Sequence, residues 1–337
     1  MPLNPAAPGL ARSHPTLLAA LACLALCAAP GPGASAASSA KSGAARTYEN
    51  TSKCPGHPRD ADDQIAICTR AIESGALSPE DLASAYYFRG TAWSDKKKLD
   101  LAIADYTEAV KTNPELGVAF YNRALARTAQ GELDAAIADY TEAINLYPNF
   151  GVGFNNRALV FAAQGDAERA VLDFNEAIRI DPNAARGFFG RALSQYNVGR
   201  FENAADDLAE ALRLGMKSPY VALWHRLAEG RAGREAVATA HLQIATAELD
   251  ASKWPAPLVD LLMGRSSAEA LYKAAESPDA AIQAGRLCEA HFYVAQLALV
   301  GNDVAQATPL LLGAERECPH DYTEYQATRA ELQRLPH

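Results

Sequence analysis

The sequence predicts an all-α fold: a solenoid of stacked helical hairpins followed by a divergent helical tail. Three observations predict it. Residues 83–218 repeat with a period of 34 residues. Within each period large and small side chains alternate at helical spacing. Glycine and proline recur where turns belong, at Gly131, Gly165 and Gly199 and at Pro114, Pro148 and Pro182.

The four rows are residues 83–116, 117–150, 151–184 and 185–218. The first helix of each row carries an aromatic at Tyr86, Phe120, Phe154 and Phe188. An arginine follows at Arg89, Arg123, Arg157 and Arg191, then a small residue at Gly90, Ala124, Ala158 and Ala192. The second helix of each row carries Ala102, Ala136, Ala170 and Ala204, then Tyr106, Tyr140, Phe174 and Leu208, then Ala109, Ala143, Ala177 and Ala211. Small residues let the two helices approach, and the large ones fill what remains. One such hairpin cannot bury its apolar face alone, so the hairpins must stack. The period and the alternation resemble the tetratricopeptide repeat (TPR), and that resemblance implies a right-handed superhelix.

Residues 61–82 line up with a second helix alone and read as a half-repeat cap, with Cys68 in the tyrosine position. Ser78 and Pro79 start the next helix as N-cap and first helical residue. Past residue 218 the strict period fades into a divergent TPR-like region, residues 219–337. Residues 220–230 and 234–249 form one helical pair, and Ser266 to Glu269 reads as a capping box. Residues 280–300 and 303–317 form a hairpin around Gly301 and Asn302, and residues 321–335 close the chain. Trp254-Pro255, Leu261-Leu262 with Gly264, and residues 290–293 and 324–332 resemble the C-terminal half of NlpI-type TPR proteins. That resemblance implies a cell-envelope adaptor that holds proteases and peptidoglycan hydrolases together.

Residues 1–36 read as a secretory signal: Arg12, a short apolar core from 16 to 29, and a small-x-small site at Ala34-Ser35-Ala36. The expectation is a secreted, periplasmic product in an oxidising compartment. Lipidation at Cys23 or Cys27 is the alternative, but the residues before them fit a lipobox poorly. Residues 37–60 are a Ser-, Ala- and Gly-rich linker and an irregular loop. The four remaining cysteines allow three pairings. Helix order favours Cys54 with Cys68 and Cys288 with Cys318, one bond at each end of the array; buried free thiols are the alternative.

The net charge of −9 over 337 residues argues against an electrostatic nucleic-acid binder. No apolar run reaches the roughly 20 residues of a membrane-spanning helix. There is no H-E-x-x-H, no glycine-rich phosphate loop and no G-x-S-x-G. The expectation is therefore no enzyme, no metal and no cofactor. The arginine column is matched by acids of the same period, Asp105, Asp139, Asp173 and Asp207, with Glu108, Glu142, Glu176 and Glu210 alongside. It reads as inter-helix ion pairs rather than as an anion site.

The candidate site is the inner face of the first helices. One column is Tyr87, Tyr121, Asn155 and Phe189; the next is Thr91, Leu125, Leu159 and Leu193; the third includes Thr128 and Tyr196. TPR domains that clamp C-terminal carboxylates carry lysine on this face, and there is none here. The surface suits a partner peptide with apolar anchors, which makes the chain a protein–protein scaffold or adaptor. The other reading is that the C-terminal helices fold over these columns. A periplasmic sensor of a small ligand or peptidoglycan fragment is the alternative function, requiring a closed pocket of Tyr121, Asn155 and Tyr196. The tail helices could also form a homodimer.

Overall fold

The computed structural model describes Cys54, residues 60–247 and residues 249–336. The signal segment, Cys23, Cys27 and nearly all of the linker lie outside the described residues. Among the described residues there are 16 helices and no β-strand. The cap is α1 (Ala61–Glu73). The four rows are α2 (Pro79–Asp95) with α3 (Leu99–Thr112), α4 (Gly117–Gln130) with α5 (Leu133–Leu146), α6 (Gly151–Ala163) with α7 (Ala167–Ile180), and α8 (Ala185–Asn197) with α9 (Phe201–Arg213). The tail is α10 (Pro219–Arg231), α11 (Glu235–Ala245), α12 (Ala256–Leu262), α13 (Ala268–Ala275), α14 (Ala280–Val300), α15 (Val304–Glu317) and α16 (Thr323–Arg334).

Local chemistry sets the helix ends. Ser78 caps α2, its hydroxyl accepting from the Asp81 amide at 3.2 Å, with Pro79 in the first turn. Gly131, Gly165 and Gly199 end the first helices at φ 80°, 82° and 80°, a region a Cβ disfavours. Row one reaches the same turn with Lys97, at φ 59°. In the tail the cap of α13 is Ser267, one residue later than the sequence pattern suggests, accepting from the Ala270 amide at 3.2 Å.

Packing inside each hairpin follows the small/large pattern. Ala102, Ala136, Ala170 and Ala204 are fully buried, and so are Tyr106, Tyr140, Phe174 and Leu208. A Cβ at Gly90 would meet the Tyr106 ring at 2.9 Å, so an alanine here would force the ring to shift.

The arginine column staples the stack. Each arginine grips the aspartate of its own hairpin through two N–H groups: Arg89 with Asp105 at 2.8 and 2.7 Å, Arg123 with Asp139 at 2.9 and 2.7 Å, Arg157 with Asp173 at 2.7 and 2.8 Å, and Arg191 with Asp207 at 2.7 and 2.6 Å. A third N–H reaches back one hairpin, to Thr69 at 3.1 Å, Thr107 at 3.1 Å, Thr141 at 2.9 Å and Asn175 at 2.7 Å. One side chain thus ties three helices together. The glutamate ladder behaves differently: Glu108, Glu176 and Glu210 pair within their own helices with Lys111, Arg179 and Arg213.

The core grows toward the tail. The largest apolar cluster joins Ala192, Leu193 and Tyr196 of α8 to Trp224 of α10, Leu258 of α12, Phe292 of α14, Leu311 of α15 and Ala327 of α16. Array and tail therefore share one core. Cys54 is bonded to Cys68 and Cys288 to Cys318, each with Cα atoms 4.6 Å apart. A disulfide closing loops of this size typically contributes about 3 kcal/mol. These two tie down the ends of the solenoid, where a hairpin has one neighbour only.

His225 is buried in α10, its ring 5.0 Å from that of His241 and its Nε2 3.4 Å from Glu229. Burial, with His241 and Arg234 adding to it, pulls its pKa down to about 4 from 6.5. The unfolded chain therefore takes up this proton first as the pH falls. The contribution of the neutral ring to stability is complete above pH 6.5 and is lost between pH 6.5 and about 4. A His225→Leu variant is expected to flatten the acid limb of the stability–pH curve in that window, as urea denaturation at a series of pH values would show.

Candidate protein-binding groove

The first helices α2, α4, α6 and α8 turn one face of each row inward, and the three residue columns run along it. In rows one to three that face stays partly open: Tyr87, Thr91, Tyr121, Leu125, Asn155 and Leu159 are all intermediate in exposure. Two phenols are tied to the next row, Asn122 donating to the Tyr87 oxygen at 3.2 Å and Asn156 to the Tyr121 oxygen at 2.9 Å. Burial raises the Tyr121 pKa to about 12. The Thr91 hydroxyl donates to the Tyr87 carbonyl at 3.0 Å and accepts from Tyr106 at 3.3 Å. With the hydroxyls of Tyr87, Thr91 and Tyr121 hydrogen-bonded, the face is mainly aromatic and aliphatic, through Tyr87, Tyr121, Leu125 and Leu159. The Asn155 amide, which donates to the Asn156 side chain at 3.3 Å, is the polar feature among them.

Row four is different, and three expected groove residues are not on the surface. Leu193 and Tyr196 are buried, because α14 and α16 fold over α8. The Tyr196 hydroxyl donates to Gln296 of α14 at 2.7 Å, and desolvation drives its pKa upward. Thr128 is buried inside its own hairpin, its hydroxyl donating to the Ala124 carbonyl at 2.8 Å. Phe189 is half-buried against the shared core. A ligand pocket of Tyr121, Asn155 and Tyr196 is thus not formed: Tyr196 is turned into the core.

The residues that close row four are ones the sequence pattern does not mark. Arg231 of α10 bridges Gln296, at 3.0 Å, and Glu331 of α16. Gln326 donates to the Ala163 carbonyl at 3.2 Å, and Arg334 donates to the carbonyls of Tyr196, at 3.4 Å, and Asn197. One sequence signal points to them. Tyr196 puts a large phenol where the column otherwise holds Ser94, Thr128 and Ala162, and a large side chain there needs a cover. Among the described residues no group of three or more His, Cys, Asp and Glu is placed to hold a metal ion, and no helix is long and apolar enough to cross a membrane.

Models of the tetratricopeptide repeat match residues 83–116, 117–150 and 155–219. No curated protein matches the chain. Among solved structures, the C-terminal part of a TPR repeat-containing protein from Cytophaga hutchinsonii is 16% identical, with a TM-score of 0.50 over 76% of this chain and 90% of that one. A tetratricopeptide repeat protein from Parabacteroides merdae is 15% identical, with a TM-score of 0.47 over 81% of this chain and 92% of that one. YrrB, described as a TPR protein with an unusual peptide-binding site, is 14% identical, with a TM-score of 0.48 over 54% of this chain and 93% of that one. At such identities the first of these speaks for the fold alone. Together the repeat matches and the stacked hairpins give the conclusion that the chain carries tetratricopeptide repeats from residue 83 to residue 219.

Proposed function

We propose that the chain is a non-catalytic scaffold of the periplasm or cell envelope that docks partner proteins in the open part of its groove. One observation carries the reading: the tail covers Leu193 in row four, while Thr91, Leu125 and Leu159 of the same column are left partly exposed in rows one to three. A stacked repeat array offers an extended concave surface, and this one is aliphatic and aromatic with little charge. The N-terminal signal pattern and the two disulfides suit an oxidising compartment. The tail's resemblance to NlpI-type adaptors favours envelope proteases or peptidoglycan hydrolases as partners.

The test is affinity capture from envelope extract by the oxidised chain, read by mass spectrometry. Leu125→Ala combined with Leu159→Ala removes aliphatic surface from rows two and three without touching the arginine staples. Capture of the principal partner is expected to fall about tenfold or more, with far-ultraviolet circular dichroism unchanged. Undiminished capture would move the site off the groove.

A further inference from the structure

We infer that the carbonyl skipped at the C-terminal turn of each first helix is a docking point, and that rows one and two offer two of them to a helix of a partner protein carrying the donor pattern of α16. The inference deepens the groove reading and rests on it. Ala163 and Asn197 occupy the same position 34 residues apart. Each ends its helix. The left-handed turn that follows sends the next backbone N–H groups past them: Gly165 bonds to Ala162 at 3.0 Å and Asp166 to Phe161 at 2.9 Å, while Gly199 bonds to Tyr196 at 3.0 Å and Arg200 to Gln195 at 2.9 Å. The skipped carbonyls are the unpaired acceptors that every helix C-terminus leaves. α16 supplies them: Gln326 donates to Ala163 and Arg334 to Asn197.

Rows one and two repeat the geometry. Lys97 bonds to Ser94 at 2.9 Å and Lys98 to Trp93 at 2.9 Å; Gly131 bonds to Thr128 at 3.0 Å and Glu132 to Arg127 at 2.9 Å. The carbonyls skipped here are those of Asp95 and Ala129, both exposed residues, and among the described residues no side chain donates to either. The space is open as well. A Cβ at Gly165 would lie 3.9 Å from Gln326, and one at Gly199 would lie 3.6 Å from Arg334, whereas one at Gly131 would meet nothing within 4 Å. The interface that seats α16 therefore continues along the stack into rows one and two.

Its occupant is defined by the same chemistry. It is a helix with two long donor side chains, arginine or glutamine, eight residues apart like Gln326 and Arg334. Eight residues rise about 12 Å. Apolar residues between them would rest on Leu125, as Leu332 packs against the core that includes Leu193. Helix C-termini favour cationic donors, so arginine is the stronger choice.

The probe is a fluorescent peptide with the sequence of residues 321–336, titrated into the intact oxidised chain and followed by anisotropy. We expect saturable binding. Replacing Gln326 and Arg334 of the peptide by leucine should weaken it about tenfold or more. A Leu125→Glu chain should weaken it as much. Equal affinity for the two peptides would overturn the carbonyl reading and leave the groove reading standing, because that is judged by partner capture. Binding indifferent to Leu125→Glu would mean exchange with the chain's own α16 and would also overturn it. So would absence of binding. Self-association of the intact chain through Gln326 and Arg334, seen by sedimentation, would replace the partner helix by a second copy and overturn the choice made here.

Discussion

A Trp224→Ala chain is expected to lose about 3–5 kcal/mol of stability. Trp224 is fully buried in α10, where row four meets the tail. Its ring lies 5.1 Å from that of Tyr196 and 5.3 Å from that of Phe292. Deleting it opens a cavity shared by α8, α10 and α14, and that core is too fully packed to collapse around it. Urea denaturation followed by circular dichroism should show the loss, and Trp224→Phe should recover much of it. A loss below about 1 kcal/mol would mean that array and tail fold on separate cores.

The second large effect is expected at Asp139. This carboxylate is buried and receives three N–H bonds from two arginines, at 2.9 and 2.7 Å from Arg123 and at 2.7 Å from Arg127. Asp139→Ala leaves the Arg123 guanidinium buried without its counter-charge, and breaking such a pair costs about 3–5 kcal/mol. The comparison that isolates the cause is a double replacement, Arg123→Met with Asp139→Leu. It removes both charges and should recover most of the loss, since the net contribution of a buried pair over apolar packing is small. Asp105→Ala should cost less, because Arg89 is more exposed, at 19% against 10% for Arg123. A cost at Asp139 no larger than that of an exposed pair would contradict the staple role.

The periodic part of the fold was legible because each structural demand recurs every 34 residues. Helix crossings appear as alanine columns, turns as glycines, and the staples as an arginine followed 16 residues later by an aspartate. At the turn row one departs from the pattern: Lys97 adopts the left-handed conformation that glycine provides elsewhere. Cover of the groove by the C-terminal helices was legible only as an alternative, and the residues that make it were not, for two physical reasons. The contact that buries Tyr196 reaches Gln296 across 100 residues and has no period. And α16 is held partly through backbone carbonyls, which every residue possesses, so Ala163 and Asn197 carry no mark of their role. The cap of α13 shifted from Ser266 to Ser267 because two adjacent serines offer the same hydroxyl, and helix phase alone decides between them.

The central claim is that one groove is covered at row four and open along rows one to three. Hydroxyl-radical footprinting of the intact, oxidised chain measures it residue by residue. Leu125 and Leu159 should be modified at rates typical of half-exposed side chains, while Leu193, one row further along the same column, stays protected together with Tyr196. Equal modification of Leu125, Leu159 and Leu193 would contradict the claim, whether all three were open or all three were shielded.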